Sequence, residues 1–206
     1  MLSADQIRRN YEAALELAGK FFMGEAPVQL AAKRISRALA ELGIPHVICG
    51  GLAVAAHGHV RVTQDVDILL TPEGLRRFKE RWLGRGWVER FEGSKGLRDA
   101  EQNVKIDVLL TGDYPGDGKP GPIAFPDPKD VAVPSASVSV LNLPKLIELK
   151  LASGLGAPSR LQDFADVIAL IRANSLPADF ALQLHPHVRA KYAELWGLAQ
   201  MPVEEP

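Results

Sequence analysis

The sequence predicts an α+β protein of the mixed α/β kind, a small mixed sheet between an N-terminal helical segment and a C-terminal helical segment. Three observations predict it. Apolar residues recur at helical spacing through residues 5–22 and again from 27 to 42. Two acid-bearing apolar runs in the middle of the chain, 65–70 and 103–110, read as strands. Beyond Asn142 the pattern is helical to the end. The organisation is therefore a helical segment over 1–43, an α/β core over 44–140 and a helical segment over 141–206.

Each element has a local reason. Ile7, Tyr11, Ala14, Leu15, Ala18 and Phe22 line one side of the first helix. After a break at Gly24, Pro27 suits the first turn of a second helix carrying Ala31, Ile35, Ala38, Leu39 and Leu42, with Gly43 as its C-terminal stop. His46-Val47-Ile48-Cys49 reads as a buried strand running into a Gly50-Gly51 turn, and a short helix from Leu52 to His57 stops at Gly58. Asp65 to Leu70 is a strand, and Thr71-Pro72-Glu73 opens a helix to about Leu83. Trp87 to Phe91 is a weaker strand signal, whereas Val104, Ile106 and Val108 alternate with Lys105 and Asp107. Gly112 to Pro122 is an irregular surface loop. Val131 to Val140 holds a strand that Pro134 assigns to a sheet edge. Asn142, Ser159 and Pro186 start the last three helices.

Composition narrows the class. Of 206 residues, 47% are hydrophobic and 24% charged, enough for an ordinary core without disulfides. The lone cysteine, Cys49, suits a reducing compartment, and no apolar run approaches the roughly 18 residues of a membrane span. The expected location is cytoplasmic, with no membrane partner. Lys and Arg total 24 against 25 Asp and Glu, so the global basic excess of a dedicated nucleic-acid binder is absent. A local basic stretch, Arg76, Arg77, Lys79, Arg81, Arg85 and Arg90, reads either as a solvated helix face or as an acidic-acceptor surface such as RNA needs.

Asp65 and Asp67 stand two apart on a strand, so both carboxylates leave one face. Adjacent carboxylates repel unless protonated or neutralised, and hard oxygen ligands suit magnesium, which also takes phosphate oxygens. Pairing of the two acid-bearing strands would bring Asp107 to the same place and create the two-metal arrangement for in-line displacement at phosphorus. The alternative is solvated surface charge. Gly50-Gly51 is either a turn needed for chain reversal or a point where backbone approaches phosphate.

The order glycine pair, short helix, acid-x-acid strand and later acid-bearing strand resembles the DNA polymerase beta-like nucleotidyltransferase superfamily. The string GGLAVAAHGHVRVTQDVDILL, followed by Ile106-Asp107-Val108, looks especially like the bacterial branch containing abortive-infection toxins. The resemblance spans roughly residues 44–172. It implies a magnesium-dependent enzyme, with two ions and manganese as a substitute, moving a nucleoside monophosphate from a nucleoside triphosphate such as ATP to a hydroxyl acceptor. Asp65, Asp67 and Asp107 would hold metal and catalyse, and Gly50, Gly51, Arg61, Thr63 and Lys150 would bind the nucleotide. The acceptor would be RNA, protein or a small molecule, and an antitoxin-type protein would be a partner. A non-catalytic nucleotide-binding or interaction module on the same fold is the alternative.

Lys150 lies among Leu146, Ile147 and Leu151, so its ammonium needs water, an anionic side chain or a phosphate. Asp163 and Asp166, one turn apart beside Arg160, are either supporting site residues or structural partners of Arg160 and Lys150. His57 ends the short helix, and His185-Pro-His187 lacks ligand spacing to any second cluster. No Ser-His-Asp signature, P-loop or GxGxxG fingerprint occurs.

Overall fold

The computed structural model describes residues 4–134 and 137–202. Helix α1 (Ala4–Phe22) ends ahead of Gly24, and α2 (Pro27–Glu41) has its proline in the first turn and Gly43 at φ +61° just past its end. The Ile7 side chain lies outside the described residues. Strand β1 (Val47–Ile48) is short and feeds α3 (Gly50–Ala56). The glycine pair therefore opens that helix, and Gly50 takes a φ of +56° that a side-chain-bearing residue rarely adopts. Strand β2 (Asp65–Leu70) leads to α4 (Pro72–Trp82), whose Thr71 hydroxyl accepts the Gly74 amide at 3.0 Å.

Next come β3 (Trp87–Glu89), β4 (Leu97–Asp99) and β5 (Val104–Leu110). The short β4 has no expectation from sequence. With Arg98 exposed between buried Leu97 and Asp99, three residues are too few for a visible alternation. A single turn, α5 (Pro128–Val131), precedes β6 (Ala132–Pro134) and β7 (Ser139–Leu141). Pro134 is on the outermost strand as expected, but the second half of that run is interior. Val140 pairs in parallel with Ile48 of β1, and residues 135 and 136 between the two strands lie outside the described residues.

Among the described residues the sheet is seven-stranded and mixed, in the order β3-β4-β5-β2-β1-β7-β6. β2 and β5 are parallel neighbours in the register Asp65↔Lys105, Asp67↔Asp107 and Leu69↔Leu109. The period of two then sorts the faces. Val66, Ile68 and Leu70 join Ile106 and Val108 in a core under α2 and α4. Leu69 turns the other way, into a second core beneath α6 (Leu143–Gly156), α7 (Leu161–Ala173) and α8 (Pro186–Ala199). Asp65 and Asp67 share its face, on the side of the C-terminal helices.

Those helices are locked to each other closely. A methyl group at Gly154 of α6 would come within 2.5 Å of the Phe164 ring of α7. Asn142 caps α6 by accepting the Lys145 amide at 2.9 Å, and the buried Glu148 accepts the His185 amide at 2.6 Å at the start of α8. A 3₁₀ turn, Ala178–Gln183, joins α7 to α8 and buries Phe180 against Tyr192. No helix is long and apolar enough to cross a membrane among the described residues.

Candidate active site

The paired strands bring Asp65, Asp67 and Asp107 into the wall of one cavity of about 640 Å³. Gly50 and Gly51 open α3 on one side of it, and the loop from Tyr114 to Gly118 forms another wall. Asp67 keeps an edge open to this cavity, yet protein surrounds it elsewhere. Burial, reinforced by the Asp65 and Asp107 charges and opposed by Lys150 and Arg160, pushes its carboxyl up to about 6. Asp67 therefore carries negative charge that the protein does not fully compensate.

The glycines have steric reasons. A methyl group at Gly50 would stand 1.8 Å from Asp67 Oδ2. One at Gly51 would meet Thr63 Cβ at 2.9 Å and Arg61 Nη1 at 3.3 Å. Only a backbone without side chains fits beside these groups. Gly50→Ala is expected to destabilise the fold by about 1–3 kcal/mol, from positive-φ strain and the overlap with Asp67. A denaturant melt measures this, and an unchanged midpoint would show that the glycine is dispensable there.

Around the acids lies a set of cations. Thr63 Oγ1 donates to Asp65 Oδ1 at 3.2 Å. Lys105 hydrogen-bonds Asp107 Oδ2, and its ammonium lies 3.6 Å from Asp65 Oδ2. Arg90 Nη1 donates to Asp107 Oδ1 at 3.2 Å. Lys105 was visible in the sequence only as a member of the alternating strand, two positions before Asp107 and thus on the same face. Arg90 reaches in from beyond β3, a contact that no local spacing announces.

A second cluster stands behind the first. Asp166 is fully buried and accepts two bonds from Arg61, Nε to Oδ1 at 2.7 Å and Nη2 to Oδ2 at 2.8 Å. Lys150, itself buried, lies 2.7 Å from Asp166 Oδ2 and 2.9 Å from Asp163 Oδ1. Arg160 comes within 3.2 Å of Asp163 Oδ2. Burial alone would raise the Asp166 carboxyl; Arg61, Lys150 and Gln162 together hold it below its usual range. Asp163 and Asp166 are thus ion-pair partners of the lysine and the two arginines. Arg61, Thr63, Lys150 and Asp163 all reach the same cavity, whereas Asp166 braces them from behind.

Other singled-out residues have structural places. His57 Nε2 is 2.7 Å from the Leu141 carbonyl, and the His185 ring caps α8 by accepting the His187 amide. Cys49 is buried, and burial, with the nearby Asp67 charge, pushes its thiol up, which unsuits it as a nucleophile. On α4 the basic residues are largely answered locally. Arg76 pairs with Glu73 and Glu80, Lys79 with Glu89, and Arg77 donates to the Leu42 carbonyl.

Among the described residues no group of three or more His, Cys, Asp or Glu side chains stands as a ready metal cage. The donor chemistry still fits one hard cation. Asp65 and Asp67 present oxygen ligands on one strand face, and the raised Asp67 carboxyl marks the charge that such an ion would relieve.

No protein-family model matches the chain, and the curated proteins contain no match. Solved structures do match. The chain superposes on ANT(2'')-Ia in complex with adenylyl-2''-tobramycin with a TM-score of 0.53 at 16% identity, covering 81% of this chain and 97% of that one. The solution structure of the antibiotic-resistance factor ANT(2'')-Ia gives 0.50 at 19%, covering 83% and 95%. At such identities the likeness is one of architecture, and it shows that the chain has a nucleotidyltransferase-like fold.

Proposed function

We propose that the protein is a magnesium-dependent nucleotidyltransferase that moves a nucleoside monophosphate from a nucleoside triphosphate to a hydroxyl acceptor, releasing pyrophosphate. One observation carries the reading: the Asp67↔Asp107 register sets three carboxylates beside the Gly50-Gly51 helix start in a single large cavity.

The chain's residues divide the work by position. Asp65 and Asp67 would hold magnesium, and Asp107 completes the acidic centre. When bound, magnesium would neutralise phosphate charge and ease ionisation of the attacking hydroxyl. Gly50 and Gly51 leave the backbone clear for the triphosphate, while Arg61, Lys150 and Arg160 supply positive charge along the cavity wall. Thr63 holds the Asp65 carboxylate in place. The acceptor oxygen bonds to the α-phosphorus as the bond to the bridging oxygen of pyrophosphate breaks. Its proton passes to Asp107, whose carboxylate Arg90 and Lys105 hold in position.

The local pairing of the α4 cations weighs against an RNA surface there. The adenylylated tobramycin in the complex of the similar fold supports a small hydroxylated acceptor, with protein or RNA as the other classes. A toxin-like role with an antitoxin-type partner has its own support on α1, where Tyr11 and Leu15 are 64% and 55% exposed.

The test is incubation with α-labelled nucleoside triphosphates, magnesium, and separate pools of small molecules, RNA and protein. Label should move to one pool, need magnesium and vanish with Asp65→Ala. Absence of product, together with nucleotide binding indifferent to magnesium, would overturn the reading. Binding of Mn²⁺ should also weaken as pH falls below about 6, because a protonated Asp67 cannot ligate; a flat profile there would remove Asp67 from the metal site.

A further inference from the structure

We propose that Lys105 stands in for one of the two cations of a two-metal centre, so that a single divalent ion at Asp65 and Asp67 works beside a lysine ammonium at Asp107. This rests on the nucleotidyl-transfer reading above and concerns how many ions that site takes.

The argument begins with Asp107. Both of its carboxylate oxygens already have cationic partners: Arg90 at Oδ1, at 3.2 Å, and Lys105 at Oδ2. The same ammonium lies 3.6 Å from Asp65 Oδ2. It thus occupies the space between Asp65 and Asp107, where an ion shared by those two acids would sit. Asp67, by contrast, has no ion-pair partner among the described residues.

Backbone register puts Lys105 there. It is the partner of Asp65 across the β2–β5 ladder, and it stands two residues before Asp107 on the same strand face. Any rotamer that leaves the cavity would strand the Asp107 carboxylate with Arg90 alone, and the Lys105 side chain is only 34% exposed. Its stem is fixed by the sheet, so the charge is part of the site's design.

Charge balance points the same way. Against the three carboxylates stand the Lys105 ammonium and the Arg90 guanidinium, so one divalent ion already outweighs the remaining negative charge before substrate enters. A second divalent ion at Asp107 would face the ammonium at a few ångströms, where like charges in a cavity repel strongly, or would have to displace it. Lysine acts through Asp107 here and is a positioning residue. It holds that carboxylate in place while leaving the metal position at Asp65 and Asp67 open.

The test counts ions. Native mass spectrometry of the protein with Mn²⁺ and α,β-methylene ATP reads the number of ions per nucleotide complex, and anomalous scattering from crystals locates them. The wild type should hold one Mn²⁺, Lys105→Arg one, and Lys105→Met two. Two ions in the wild type would overturn the inference and leave the nucleotidyl-transfer reading intact. So would a single ion in a Lys105→Met protein that melts normally. A wild type that retains neither Mn²⁺ nor nucleotide would overturn the parent reading as well. Should Lys105→Met fail to fold, the wild-type count alone decides.

Discussion

Asp67→Asn is expected to lower nucleotidyl transfer by about 10³-fold, equivalent to about 4 kcal/mol of transition-state stabilisation, while making the metal-free protein more stable. The two effects have one cause. The Asp67 carboxyl is raised to about 6 by burial and by its acidic neighbours, so its charged form is costly in the folded protein. For a group with a raised folded pKa, the stability it contributes is full below the unfolded value near 3.8 and is lost as pH rises through about 6. At neutral pH the wild type bears this penalty and the amide does not. After discounting for the edge open to the cavity, the gain is about 1–2 kcal/mol, or roughly 2–6 °C in melting temperature. It should shrink when the melts are repeated at about pH 4, where the wild type is protonated too. A variant that loses activity and stability together would show that Asp67 is a packing residue.

The opposite signature belongs to Asp166. Asp166→Asn should cost about 3–5 kcal/mol, lowering the melting temperature of a domain this size by about 10 °C. The fully buried carboxylate compensates Arg61 and Lys150 at once, and removing its charge leaves two cations short of partners. Because cations hold the Asp166 carboxyl low, its contribution is present above the unfolded carboxylate value and lost as pH falls through the folded one. Wild type and variant should therefore converge in acid. Equal melting points at neutral pH would mean that Lys150 and Arg61 find other anions, with Asp163 the nearest.

Much of this arrangement was legible because it follows from local periods. The acids of β2 and β5 are readable from alternation alone, and Thr71, Asn142 and Pro186 mark helix starts that side-chain caps or proline geometry enforce. What was hidden depends on pairing across distance. The Arg61–Asp166 pair joins residues 105 positions apart, and His57 to Leu141 joins residues 84 apart. β7 reads as an extension of an edge strand until its parallel partner β1 is seen. Lys105 is the intermediate case. Its face was readable, but its role needed the register that sets it opposite Asp65.

The loop that walls the cavity tolerates change unevenly along its length. Gly116, at φ +84°, seats its backbone against the end of α6, where an added methyl group would come within 3.1 Å of the Ser153 carbonyl. The base of the loop is tied by Gly112 and Phe125, amide to carbonyl at 2.9 Å. Tyr114 and Pro115 are thereby held between two clamps, whereas Lys119 to Pro122 lie in an exposed stretch beyond the second. Insertions and substitutions at 119–122, which lie outside the wall of the acid cavity, can therefore accumulate without moving the acids, whereas changes at 114–116 would shift that wall.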